Sequence, residues 1–243
     1  MSRQFLFLIV AVLAALPLAA ETYIVPMWAR GLAASDGRWY APATVVNGNS
    51  FPVTYRVTRI FPLQTEACPV CTDAIVEGRV EPLSSAPLKV GGLTGQQLIA
   101  GALEVETSAP LTIHVVAYRT GGPEIRQRLD VGRRWLAPGR HLISTVERTG
   151  VSWRINVFVT NPNDEAVTVS VWAGDRIPNE VRATVGPRST AVVAVRLPQV
   201  PGTTEYPPSM IPVSVESPAT IFASASSLGT TWAVFSIADE ARD

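Results

Sequence analysis

Cysteine, histidine and lysine are scarce in this chain of 243 residues: there are two cysteines, two histidines and a single lysine, Lys89. Each scarcity excludes something. Both cysteines fall in one segment, CPVC, as Cys68 and Cys71. No disulfide can therefore tie distant parts of the chain, and any core must hold by packing. A full zinc site needs more ligands than this pair supplies, and His114 and His141 are both far from it in sequence. Haem attachment wants histidine directly after the second cysteine, where Thr72 stands. A thioredoxin-like pair wants a βαβ setting, and none is visible. In an oxidising compartment the expected outcome is a local Cys68–Cys71 disulfide closing a loop. It would stabilise by about 2 kcal/mol on the chain-entropy model. Redox or metal chemistry at the pair is the alternative.

Net charge is missing as well, with Lys+Arg and Asp+Glu at 20 each. That balance gives no long-range field to attract nucleic acid or an anionic membrane. No G-x-S-x-G nucleophile elbow occurs. An unbroken apolar run covers the twelve residues from Phe5 to Leu16, short of the ~20 that span a bilayer. Arg3 precedes it; Pro17 and the small residues Ala19 and Ala20 follow. That order predicts a secretory signal peptide over residues 1–20, cut after Ala20. Membrane contact is then confined to the leader, and the protein is expected to be secreted or periplasmic, in a bacterium.

What is present is a repeat. VVNGNSFPVTYRV (Val45 to Val57) and VTNPNDEAVTVSV (Val159 to Val171) align without gaps, 114 positions apart, with Asn47 on Asn161 and Asn49 on Asn163. PLSSAPLKV (from Pro82) matches PRSTAVVAV (from Pro187) at an offset of 105. VETSAPLTI (from Val105) matches VESPATI (from Val215) with two residues missing, which puts Gly121 on Gly229 at an offset of 108. Ordered blocks of this kind imply two copies of a unit of about 100 residues. Within a unit, Trp153, Ile155, Val157 and Val159 alternate with Arg154, Asn156, Phe158 and Thr160, the period of a half-buried strand. Asn161, Pro162, Asn163 and Asp164 then form a turn, and Val167, Val169 and Val171 resume the alternation. Trp39, Ala41, Ala43 and Val45 do the same in the first copy. No stretch after the leader shows a helical stripe.

Roughly seven short strands per ~100 residues, separated by turn residues, indicate an all-β protein of two tandem immunoglobulin-like β-sandwich domains. The expected bounds are 21–131 and 140–243, with 132–139 as a short linker that limits swing. Trp39 and Trp153 are the expected core anchors, and Asn47 and Asn161 the turn residues. Calcium at Asn161, Asn163 and Asp164 is less favoured than plain turn chemistry, because the partner turn has no carboxylate. Trp172, Phe158 and Tyr40 fall on the polar faces of their strands. With Trp135 at the linker they are the candidate binding or interdomain aromatics.

The order of Tyr23 to Pro26, Trp39, the Asn47 turn, Pro82 to Ser85 and Val105 to Pro110 resembles secreted bacterial tandem immunoglobulin-like repeat modules. Such modules serve as spacers, adhesive units or enzyme appendages, and no functional residue transfers from them. RINVFVTNPNDEAVTVSVW followed by PRSTAVVAVRL is similar to periplasmic pilus chaperones, although there the stretch belongs to the first domain. Those proteins hold a carboxylate with a basic pair including a lysine, and Lys89 beside Gly91 and Gly92 matches poorly. The expected function is non-catalytic: an extracellular or periplasmic interaction or structural module, without cofactor or metal, with a protein or cell-surface partner. The competing reading is a hydrolase or redox protein using Glu106, His114 or the cysteine pair. Glu104 and Glu106 share a strand face, as does Glu216 in the copy, and read as a solvated stripe.

Overall fold

The computed structural model describes residues 20–34, 37–64, 76–90, 100–121, 126–129, 131–150, 154–196 and 206–228. Residues 1–19, which hold most of the expected leader, together with Cys68, Cys71 and Trp153, lie outside the described residues. The chain is all-β. The first half contains β1 (Glu21–Ala34), β2 (Gly37–Ala41), β3 (Ala43–Asn47), β4 (Val53–Pro62), β5 (Val76–Val80), β6 (Ser84–Pro87), β7 (Ala100–Thr107), β8 (Thr112–Thr120) and β9 (Arg126–Leu129). The second contains β10 (Gly139–Gly150), β11 (Arg154–Asn161), β12 (Val167–Ala173), β13 (Val181–Val185), β14 (Ser189–Arg196), β15 (Tyr206–Ser217) and β16 (Phe222–Leu228). A single helical turn, α1 (Arg176–Asn179), follows β12.

Alternation builds these strands. Val53, Tyr55 and Val57 are buried while Thr54 and Arg56 are exposed, as the pleat requires. In the second half the strands form two layers, β10-β15-β12-β13 and β14-β11-β16. In the first half they connect into one sheet, β5-β4-β7-β1-β2-β8-β3-β6, with β9 on β8. β1 makes that connection by passing from one layer to the other. Glu21 to Val25 pair with β7, and Ala29 to Ala34 pair with β2. Two irregularities mark the passage. Pro26, which has no N–H to give to a ladder, sits in the first, between Val25 and Trp28. Gly31, at φ +81, sits in the second. The left-handed backbone of such a bulge favours glycine.

Corresponding strands of the two halves pair alike. Val57 lies opposite Val105, as Val171 lies opposite Val215. Val53 lies opposite Val80, as Val167 does opposite Val185. Asn47 faces Ser84 as Asn161 faces Ser189. Val45 faces Ile113 as Val159 faces Ala223, so β8 and β16 correspond at an offset of 110. This corrects the offset of 108 read from the sequence. Leu111 and Ile221 both enter the core directly before their strands, so the equivalent positions run on there without a gap.

Each half has its own apolar core, one around Val25, Val45, Val57, Leu103 and Val115, the other around Ile155, Val157, Val171, Val193 and Val215. Trp39 is not a core anchor: it is only half-buried, and its cross-strand neighbours are Leu32 and Arg119. The Arg119 guanidinium lies 6.0 Å from its ring centroid. The small Ala41 and Ala43 are the buried positions of this stretch. A buried tyrosine, Tyr23, ties β1 to the turn before β8. Its hydroxyl reaches the Leu111 carbonyl at 2.7 Å and the Glu21 carboxylate, and it accepts the Leu111 N–H at 2.9 Å. Burial first, then the Glu21 contact, push its phenol up to about 12.

Candidate interaction surfaces

Asn161 ends β11 with its side chain fully buried. Its Nδ2 donates to the carbonyls of Glu165, Val185 and Gly186 at 2.8, 3.2 and 2.9 Å. Its Oδ1 accepts the backbone N–H of Asn163 at 2.9 Å and the Asn163 amide at 2.7 Å. Asn163 donates onward to the Thr220 carbonyl. One amide pair thus binds the turns β11–β12, β13–β14 and β15–β16, satisfying backbone groups that no sheet reaches. Asn47 repeats the arrangement. It donates to Phe51, Val80 and Glu81 and accepts from Asn49, which donates on to Pro110. Leu83 and Arg188, each after a proline, take positive φ of 51° and 44°. Their N–H groups donate to Asn49 and Asn163. The asparagines read as turn residues are therefore staples across one end of each half.

Trp172 is 1 % exposed. It does point away from the core of Val167, Val169 and Val171, yet it offers no open platform. The guanidinium groups of Arg140 and Arg176 each lie 4.8 Å from its ring centroid. Stacked cations of this kind contribute about 0.5–2 kcal/mol each. Carboxylates hold Arg176 in place: it pairs with Glu180 at 2.8 Å and Glu216 at 2.7 Å. Glu180 also accepts from Arg182 and Ser170. Hydrogen bonds from Arg176, Arg182 and Ser170, in that order, hold its carboxyl down at about 2. A depressed folded value stabilises above the ordinary carboxylate range of about 4.3 and is lost as pH falls through 2. A carboxyl-carbon NMR titration should place the Glu180 midpoint near 2, and Arg176→Ala should move it up toward the ordinary range.

Of the remaining candidate aromatics, Phe158 is buried, while Trp135 and Tyr40 are half-buried. Phe158, on the outer face of β11, packs into the core cluster of the first half. Trp135 meets Phe61 edge-on at 5.4 Å, and Tyr40 stacks on Tyr118 at 5.3 Å. Phe158, Phe61, Trp135 and Phe222 mark a packed join between the halves. Ile24 and Gly132 exchange backbone hydrogen bonds of 2.7 and 2.9 Å there, and Leu136 and Ile221 do the same. Thr190 accepts the Gln64 N–H and donates its hydroxyl to Phe61. Glu104 is drawn into this join and is not solvated. Its side chain is 13 % exposed, 3.6 Å from Arg59. Burial pushes its carboxyl up, Arg59 opposes that, and Trp135 hydrogen-bonds to it. Glu106, two residues on, is exposed as expected.

Phe61 and the Arg140–Trp172–Arg176 stack escaped the sequence reading. Phe61 shares its strand with residues of both burial classes, and the stack joins residues from β10, β12 and α1. Two depressions were not foreseen either. One, of 550 Å³, lies over Arg56, Glu77, Arg79 and Glu106. The other, of 500 Å³, lies between the halves, with Arg59, Asp164 and Arg188 in its lining. Glu106 and His114 stand on β7 and β8, which β1 and β2 separate in the sheet. They flank the buried Val105 and Val115 and do not converge. His141 bonds the Ala137 carbonyl at 2.7 Å. No group of three metal-binding side chains occurs among the described residues. Comparisons with protein-family models, curated proteins and solved structures returned no match.

Proposed function

We propose that the chain is a secreted pair of tandem immunoglobulin-like modules, acting as a non-catalytic structural and interaction unit outside the bacterial cytoplasm. One observation carries this reading. The side chains that recur between the halves, above all the asparagine pairs, serve corner geometry and strand register in both copies. A catalytic constellation would sit in one copy and break the likeness; here the shared polar groups hold turns together. Mature protein recovered from the periplasm or medium should begin at Glu21. Thiol titration of the folded protein should find no free thiol at Cys68 or Cys71. Reactive thiols in protein recovered from that compartment would sink the structural reading of the pair and favour the redox alternative.

A second reading, a two-domain periplasmic chaperone, draws support from the cleft between the halves, where Arg59 and Arg188 line one depression. Lys89 is exposed and is not part of that lining. On this reading a pilus-type subunit co-purifies, and Arg59→Ala releases it. On the favoured reading neither occurs.

A further inference from the structure

The two asparagine staples match bond for bond, yet the residue after the stapling asparagine differs. Asn47 precedes Gly48, and Asn161 precedes Pro162. The same turn closes around either one, so the corner needs no backbone N–H at that position. The chemistry does distinguish them. The carbonyl carbon of an asparagine side chain is open to attack by the backbone nitrogen of the next residue. Proline has no N–H to lose and cannot complete the attack. Glycine has no Cβ to hinder it, and Asn47-Gly48 is the one Asn-Gly pair in the chain.

In the closed corner Asn47 is guarded. Its side chain is buried. Hydrogen bonds to both ends fix the orientation of the amide, and the nitrogen that would leave donates to the carbonyls of Phe51, Val80 and Glu81. The surroundings of the staple are wetter. Gly48, Ser50 and Phe51 are exposed, and Asn49 fastens the corner to Pro110 through an exposed hydrogen bond. A corner of this kind opens locally at a lower cost than global unfolding. Opening frees the amide and admits water.

We infer that Asn47 is a deamidation site held in check by its own staple, and that its conversion disables the first corner while Asn161 is exempt. The Gly48 nitrogen bonds to Cγ of Asn47 and gives up its proton, and Nδ2 departs as ammonia, leaving a cyclic succinimide. Water then opens either carbonyl of that ring, giving aspartate or isoaspartate at position 47. One water enters and one ammonia leaves, with no oxidant or reductant. Neither product rebuilds the staple. Aspartate sets a carboxylate oxygen against the carbonyls of Phe51, Val80 and Glu81, an uncompensated buried charge. Isoaspartate also adds a methylene to the backbone at the end of β3. The converted corner therefore stays open.

Peptide mass spectrometry on the mature chain, held in mildly alkaline buffer with and without guanidinium chloride, tests this. In denaturant Asn47 should convert before the other asparagines, and at least about tenfold faster than in the folded protein. Asn161 should keep its amide in both. Gly48→Pro copies the second corner; it should abolish conversion and hold or raise the melting temperature. Gly48→Ala, whose Cβ meets open space, should slow conversion if the proline variant does not fold. Asn49→Ala loosens the corner without touching the reacting pair, and should raise the folded-state rate at least about threefold. Guanidinium below the unfolding midpoint gives the same readout without a substitution. Deamidated protein, separated by ion exchange, should melt below the intact protein. Equal rates in folded and unfolded chain would overturn the inference. So would a folded-state rate that neither Asn49→Ala nor dilute guanidinium raises, another asparagine converting first in the unfolded chain, or a deamidated fraction that melts with the intact one.

Discussion

Asn161→Asp should destabilise the protein more than Asn161→Ala, although aspartate is the closer copy in shape. Alanine removes the donors to three carbonyls and the acceptor for Asn163. Leaving those buried groups unpaired costs about 2–3 kcal/mol. Aspartate keeps the acceptor but points a carboxylate oxygen at the carbonyls of Glu165, Val185 and Gly186, in a position with no solvent exposure. An uncompensated buried charge costs about 3–5 kcal/mol. Urea unfolding at neutral pH would measure both. Burial raises the folded value of the new carboxyl, so the Asp variant should recover part of its loss as pH falls through that value. Asn47→Asp and Asn47→Ala should rank in the same order. An Asp variant as stable as the Ala variant at neutral pH would show that the amide is not the staple described above.

Gly132→Ala should loosen the join. A Cβ at Gly132 would stand 2.1 Å from Cε2 and 2.8 Å from Cζ of Phe222. That ring is 6 % exposed. Gly132 also exchanges both backbone hydrogen bonds with Ile24, so the glycine cannot retreat without breaking them. Overpacking of this kind costs about 1–3 kcal/mol. Shortening the ring as Phe222→Val should itself cost stability, and the two changes together should cost less than their sum. A double-mutant cycle should return a coupling of about 1–2 kcal/mol. Strict additivity would mean that the two residues do not meet as described.

The strands and their inward faces were legible in the sequence because a strand repeats every two residues. Val53, Tyr55 and Val57 announce a buried face whatever lies opposite them. The asparagine turns were legible too, because Asn163 bonds to Asn161 only two residues away. The far ends of the staple, at Val185, Gly186 and Thr220, were not, since nothing local links those carbonyls to β11. Polarity also misled. Phe158 and Trp172 sit at positions of the alternation that should be wet, yet both are buried.

By itself the sequence determined an all-β chain, the phase of its alternating strands and the residues of its corners, because each depends on neighbours within a few positions. Only the tertiary structure decided that Phe158 enters the other half, that two arginines enclose Trp172, that Trp39 stays half-buried and that Glu104 is drawn into the join. Those outcomes depend on which surfaces meet, and contact between distant segments is set by shape and desolvation, which no local pattern records.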